Sequence, residues 1–169
     1  MTDALILTLA LDPATQARMD ALRLAHFPDR GYRLPAHLTL FHQLPGDEID
    51  AVGAALADIA ADIAPFPLHI PSIMKLGGGS AYLVDSDQLK AFRATLKTRF
   101  ADWIIPQDQH FKAHITVQNK VTPEQAAETR KTLQADFTAF HTTATGLHLW
   151  HYRGGPWDHA ATYPFGGIA

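Results

Sequence analysis

Ala36-His37-Leu38-Thr39-Leu40-Phe41-His42-Gln43-Leu44 is followed 77 residues later by a run on the same plan, Ala113-His114-Ile115-Thr116-Val117-Gln118-Asn119-Lys120-Val121. Both read Ala-His-apolar-Thr-apolar. Alternation with period two marks a strand with one face in a core. Leu38 and Leu40, and Ile115 and Val117, take that face, so His37 with Thr39 and His114 with Thr116 take the other. An imidazole and a hydroxyl two residues apart on a strand sit about 7 Å apart, and two such pairs brought together make a pocket with four convergent polar groups. Continuing the parity adds Phe41 to the first polar face and Gln118 to the second. Lys112, two before His114, places an ammonium at the rim. These three are candidate substrate contacts.

The flanking chain supplies supporting elements. Leu5 to Leu11 is an apolar run of strand length, and Asp12-Pro13 is an N-cap and first-turn proline for a helix to about Phe27 whose buried face is Ala17, Ala21, Leu24 and Ala25. After the first histidine strand, Pro45 to Glu48 opens a helix with Ile49, Val52, Leu56, Ile59 and Ile63 at steps of three and four. A strand over 68–76, a turn at Gly77-Gly78-Gly79 and a strand over 81–84 follow. Ser86 then caps a helix burying Leu89, Phe92, Leu96 and Phe100. Beyond the second histidine strand, Thr122-Pro123-Glu124-Gln125 is a capping box for a helix presenting Leu133, Phe137 and Phe140. Strands at about 146–152 and 160–165, joined by Gly154-Gly155-Pro156, close the chain.

The 77-residue offset also carries Ala4 onto Ala81, Leu5 onto Tyr82 and Asp47 onto Glu124. The chain therefore reads as an internal duplication, with halves at about 1–77 and 78–169 packed about a pseudo-twofold axis as one domain. The expected fold is α+β and bilobal: two antiparallel-rich sheets facing a central cleft, with helices outside.

Composition narrows the partners. With Lys+Arg 14 against Asp+Glu 17, the net charge is -3, which gives no global attraction to a long duplex nucleic acid and favours a small or short anionic substrate gripped locally. There is no cysteine, so disulfides and thiolate metal sites are out, in keeping with a reducing compartment. The stretch from Met1 to Asp12 has no basic start, carries Asp3 and is far too short to span a bilayer, so it reads as a first strand, not as a signal or anchor. A cytoplasmic monomer without membrane contact is expected.

Two His-apolar-Thr-apolar strands, one per half, each followed by a helix, resemble the two-histidine phosphoesterase superfamily, which includes bacterial 2'-5' RNA ligase-like proteins and cyclic phosphodiesterases. The resemblance covers nearly the whole chain in plan, and its residue-level motifs are His37, Thr39, His114 and Thr116. It implies a metal-independent phosphoesterase with no cofactor, acting on 2',3'-cyclic phosphates or 2'-5' linkages of a cyclic nucleotide or short RNA end. In that setting His37 and His114 are the catalytic acid and base, and Thr39 and Thr116 hold the phosphate. Many relatives have proline just before the motif histidine, where this chain has Ala36 and Ala113.

The chemistry fits those residue types. Opening a cyclic phosphate needs a base for the attacking water, an acid for the departing ribose oxygen and donors for the phosphoryl oxygens. Two imidazoles titrating at about 6.5 and two hydroxyls meet that list, but the symmetry leaves open which histidine is the base. Gly77-Gly78-Gly79 lacks the following Lys-Ser/Thr of a P-loop. Two other classes stay open. A His-ligated metal-dependent hydrolase would draw on His110 with His114, or on His148 with His151, although strand spacing sets the first pair about 13 Å apart. A non-catalytic module binding nucleotides or RNA ends would use Trp150, Tyr152, Arg153 and Trp157, of which Tyr152 is also a candidate substrate contact.

Overall fold

The computed structural model describes residues 2–168; Met1 and Ala169 lie outside them. The elements are β1 (Leu5–Leu11), α1 (Pro13–His26), β2 (Leu38–Leu44), α2 (Ile49–Ala61), β3 (Phe66–Leu76), β4 (Gly79–Asp85), α3 (Asp87–Arg99), β5 (His114–Gln118), α4 (Pro123–Ala135), β6 (Phe140–Tyr152) and β7 (Trp157–Pro164). Each half thus runs strand, helix, strand, helix, strand, with β7 added at the end.

The helices start where their caps are written. The Asp12 carboxylate accepts the Thr15 amide at 2.9 Å, the Ser86 hydroxyl accepts the Leu89 amide at 3.1 Å, and Thr122 and Gln125 cap each other reciprocally. Each such cap is worth about 1 kcal/mol. Asp12 also accepts the Thr143 amide and the Thr142 hydroxyl, which ties the start of α1 to β6.

Two local expectations need correction. The buried face of α1 is Thr15, Met19 and Arg23, while Ala17, Ala21, Leu24 and Ala25 are exposed. This helix packs beside β5, and its inner face is used for polar bonds to the motif strands, so an apolar stripe does not identify it. Likewise α4 stops at Ala135; Phe137 lies beyond it and Phe140 opens β6, which starts six residues earlier than its apolar pattern suggests.

All strand pairs are antiparallel, in the order β2-β1-β6-β3-β4-β5 with β7 also on β6. Replacing each strand by its counterpart in the other half reverses this order onto itself. The α+β class with an antiparallel sheet holds, with one change: the two expected sheets are joined into one of seven strands. The third strand of each half pairs with the first strand of the other half, and these third strands, β3 and β6, also pair with each other. On the β6 edge away from β1, residues 140–144 pair with β3 and residues 146–152 with β7.

Gly146 sits at that change of partner. A Cβ there would lie 2.6 Å from the Tyr163 carbonyl oxygen and 2.9 Å from the Pro164 Cα, both backbone atoms that cannot swing aside. Gly146→Ala is expected to lower the unfolding free energy by about 2 kcal/mol, read by urea denaturation, because overpacking a ladder forces backbone displacement. An unchanged midpoint would show that β6 and β7 separate freely there.

Leu5, Leu7 and Leu9 of β1 share one buried cluster with Val52 and Leu56 of α2, Phe66 and Leu68 of β3, and Phe92 and Leu96 of α3. Among the described residues no helix is long and apolar enough to cross a membrane.

Candidate active site

β2 and β5 stand at opposite ends of the strand order, yet they contact one another, so the sheet curls until its edges meet. His37 immediately precedes β2, and His114 is the first residue of β5. Both motif strands then carry the same irregularity. Thr39 pairs with Thr8 but Phe41 with Leu7; Thr116 pairs with Ala81 but Gln118 with Ser80. Leu40 and Val117 are therefore each one residue too many for the partner strand, and a one-residue slip turns the following side chain to the other face. Phe41 and Gln118 accordingly do not extend the polar faces. Phe41 is fully buried in the core, and Gln118 is buried with its amide donating to Thr129 of α4 at 2.7 Å.

The two imidazoles are held alike. His37 Nδ1 lies 2.7 Å from the Pro35 carbonyl oxygen, and His114 Nδ1 lies 2.6 Å from that of Lys112. A carbonyl only accepts, so each Nδ1 carries the proton and donates it, leaving Nε2 as the atom free for chemistry. Lys112 thus serves through its backbone. Its side chain is exposed and off the cavity wall, because β5 begins only at His114 and the strand parity does not reach back to it.

The His37 pKa is pushed down to about 4, first by desolvation and next by the positive charge of Arg23, with His114 and His42 adding to it; the bond to Pro35 pulls the other way. At neutral pH, His37 is an uncharged imidazole.

A cavity of about 530 Å³ opens here between the end of α1, the loop at 28–35, the end of β5 and the β6–β7 hairpin. Its wall carries His37 and Thr116, while His114 and Thr39 stand outside the wall. Tyr152 lies on the wall, as does Trp157, whose ring centroid is 4.5 Å from that of His37. Gly155, also on the wall, has φ +149, and a Cβ there would meet the Tyr32 ring at about 3 Å. Tyr32 and the hairpin therefore close one side of the mouth together.

Two buried arginines brace the motif strands. Arg23 of α1 donates Nη1 to the Thr116 carbonyl at 3.0 Å, and Arg93 of α3 donates Nε to the Leu40 carbonyl at 2.9 Å. Each half's first helix thus reaches the motif strand of the other half. Arg93 also donates to the Asp108 carbonyl at 2.5 Å and lies over the Phe41 ring, 4.0 Å from its centroid. The Asp108 carboxylate in turn accepts the His42 and Gln43 amides and the His42 ring. Sequence reasoning missed Arg23 and Arg93. The available signal was an arginine four residues after a buried apolar residue on each inner helix face, Met19 in α1 and Leu89 in α3.

Of the metal-ligand pairs, His148 and His151 are three apart on β6 and point to opposite faces, and His110 lies outside β5. Among the described residues, no three His, Cys, Asp or Glu side chains form a metal-binding group.

The whole arrangement has counterparts. TT0787 of Thermus thermophilus superposes with TM-score 0.68 at 16% identity, over 98% of this chain and 100% of that one. E. coli LigT complexed with 3'-AMP superposes with TM-score 0.60 at 13% identity, over 98% and 99%. LigT complexed with NADP+ gives 0.59 at 16% identity, again over 98% and 99%. At such identities the likeness establishes the fold. No curated protein matches the chain in sequence. The family comes from a sequence model that spans residues 11–156, taking in both histidine strands and the helices that brace them: the chain belongs to the 2'-5' RNA ligase superfamily.

Proposed function

We propose that this protein is a phosphoesterase that opens a cyclic phosphodiester, a 2',3'-cyclic phosphate on a nucleotide or short RNA end, using its two histidines and no metal. What supports the reading is the repeated motif: the two His-x-Thr strands contact one another, His37 of one and Thr116 of the other stand on one cavity wall, and each histidine gives Nδ1–H to a backbone carbonyl two residues back and keeps Nε2 free. The aromatic wall, with Trp157, Tyr152 and Tyr32, suits a nucleobase. That LigT binds 3'-AMP and NADP+ points the same way.

The neutral His37 is the base. Its Nε2 takes a proton from water as the water oxygen attacks phosphorus. The bond from phosphorus to one ribose oxygen breaks, and Nε2–H of a protonated His114 delivers a proton to that oxygen. The hydroxyls of Thr39 and Thr116 donate to phosphoryl oxygens as charge builds on them.

The test is hydrolysis of nucleoside 2',3'-cyclic monophosphates, and of a short RNA ending in the same group, in excess chelator across pH. Turnover is expected to survive chelation, and the acid limb of kcat/KM should lie near 4, the pKa of His37 in the free protein, well below the usual histidine value of about 6.5. Below that limb His37 is protonated and no longer a base, so the rate falls as pH falls. An acid limb at the ordinary histidine value would take the base role from His37, and loss of turnover on chelation would replace the mechanism with a metal-dependent one.

A further inference from the structure

Each bracing arginine bonds the motif strand of the other half, but the two are not equally occupied. Arg93 spends Nε and Nη2 on two carbonyls and lies against Phe41 and Phe111. Arg23 is only 7% exposed, yet its side chain's one hydrogen bond among the described residues is Nη1 to the Thr116 carbonyl. Its Nε and Nη2 have no protein partner there and are not sealed in the interior. They belong to a side chain that forms part of the cavity wall beside His37 and Thr116.

We infer that Arg23 is a phosphate-binding residue of this site, its free guanidinium N–H groups taking a phosphoryl oxygen of the substrate next to His37. The assignment rests on the cavity's being a phosphodiester site. A buried guanidinium with unmade bonds is costly unless something completes them, and an anion in the cavity does so with charge-assisted bonds. Burial lowers the Arg23 pKa to about 10, with Asp20 opposing, so the group stays charged at neutral pH. Its plane is held by the Phe27 ring, 4.0 Å from the guanidinium carbon. Asp20 is the one carboxylate on the cavity wall among the described residues, and its Oδ1 already accepts the Ala36 amide and the Gln16 side chain.

The same charge breaks the symmetry of the duplicated motifs. Among the described residues, the charged and titratable groups around His37 are Arg23 and Asp20 from α1, His42 from β2, His114 from β5, and Arg30, Tyr32, Arg33, Lys120 and Tyr152 on the cavity wall. Arg23 is the foremost charge acting on His37. It adds to the desolvation that keeps that imidazole neutral while it holds the phosphate, so one residue serves both the base and the anion.

The experiment compares wild type with Arg23→Met and Arg23→Lys in three readouts: binding of inorganic phosphate by calorimetry, kcat/KM on a nucleoside 2',3'-cyclic phosphate, and the His37 ring titration by NMR. For Arg23→Met, phosphate affinity should fall at least about tenfold, kcat/KM about a hundredfold, and the His37 titration should move up toward the ordinary range. Arg23→Lys should keep the His37 titration, since the charge remains, but stay about tenfold below wild type in kcat, because an ammonium does not reproduce the guanidinium fork. A merely structural arginine would leave phosphate affinity and the His37 titration unchanged in any variant that folds, and that result overturns the assignment. If Arg23→Met does not fold, Arg23→Lys decides: wild-type kcat and phosphate affinity together reject it. Arg23-dependent phosphate binding with no turnover of cyclic esters by wild type would reject the proposed function and leave the assignment standing. Wild-type turnover retained in Arg23→Met would do the reverse.

Discussion

Alanine at His37 or at His114 is expected to cut kcat/KM on a 2',3'-cyclic phosphate by about a hundredfold to ten-thousandfold, the range for loss of a general base or general acid. The two variants should fail differently in pH. His37→Ala should lose the acid limb, because the group whose protonation stops the reaction is gone; His114→Ala should lose the alkaline limb, where the acid would otherwise be deprotonated. The double variant should be little worse than either single one, since base and acid serve one transition state. Stability should barely change, because both rings lie in partly exposed positions at the edges of the sheet. A single variant retaining activity within about tenfold of wild type would remove its histidine from the mechanism.

Arg93→Ala is expected to cost about 3 kcal/mol of unfolding free energy in urea denaturation. Arg93 is 3% exposed, and removal of its side chain leaves the Leu40 and Asp108 carbonyls without their donor and opens a void beside Phe41 and Phe111. Activity should fall beyond the folded fraction, because Leu40 is the bulge residue that follows Thr39. Asp108→Ala should be non-additive with it, as both act through the same clasp between β2 and the 106–109 turn. That clasp also has a pH signature. Burial alone would raise the Asp108 pKa, but the His42 ring and the His42 and Gln43 amides hold it below the usual carboxylate value. Its stabilisation is therefore present above the unfolded pKa of about 4 and fades as pH falls through the lower folded value. An Arg93→Ala variant within about 0.5 kcal/mol of wild type would show that the bulge is held by the strand ladder alone.

Much of the molecule is legible in the sequence because it depends on near neighbours. The period-two pattern around His37 and His114, the caps at Asp12, Ser86 and Thr122, and the recurrence of the motif are all local features, and they carry the element order, its repetition along the chain and the pairing of each histidine with its threonine. The sheet topology is not local. That β3 and β6 cross into the opposite half depends on which edges are free when the halves meet, and no residue in either strand declares it. The bulges at Leu40 and Val117 have no residue signature, since leucine and valine suit a regular strand equally well, and so strand parity alone puts Phe41 and Gln118 on the wrong face.

The strand types, the helix starts and the four motif side chains were thus determined by the chain's own spacing. Which of those side chains share a cavity, what charge faces each and which arginine is left with free donors were decided only by tertiary structure. The reason is that these are properties of surfaces brought together from α1, β2, β5 and the β6–β7 hairpin. Desolvation and Coulomb fields depend on the distances between such surfaces, and two motifs nearly identical in sequence come to differ through the neighbours that folding gives them.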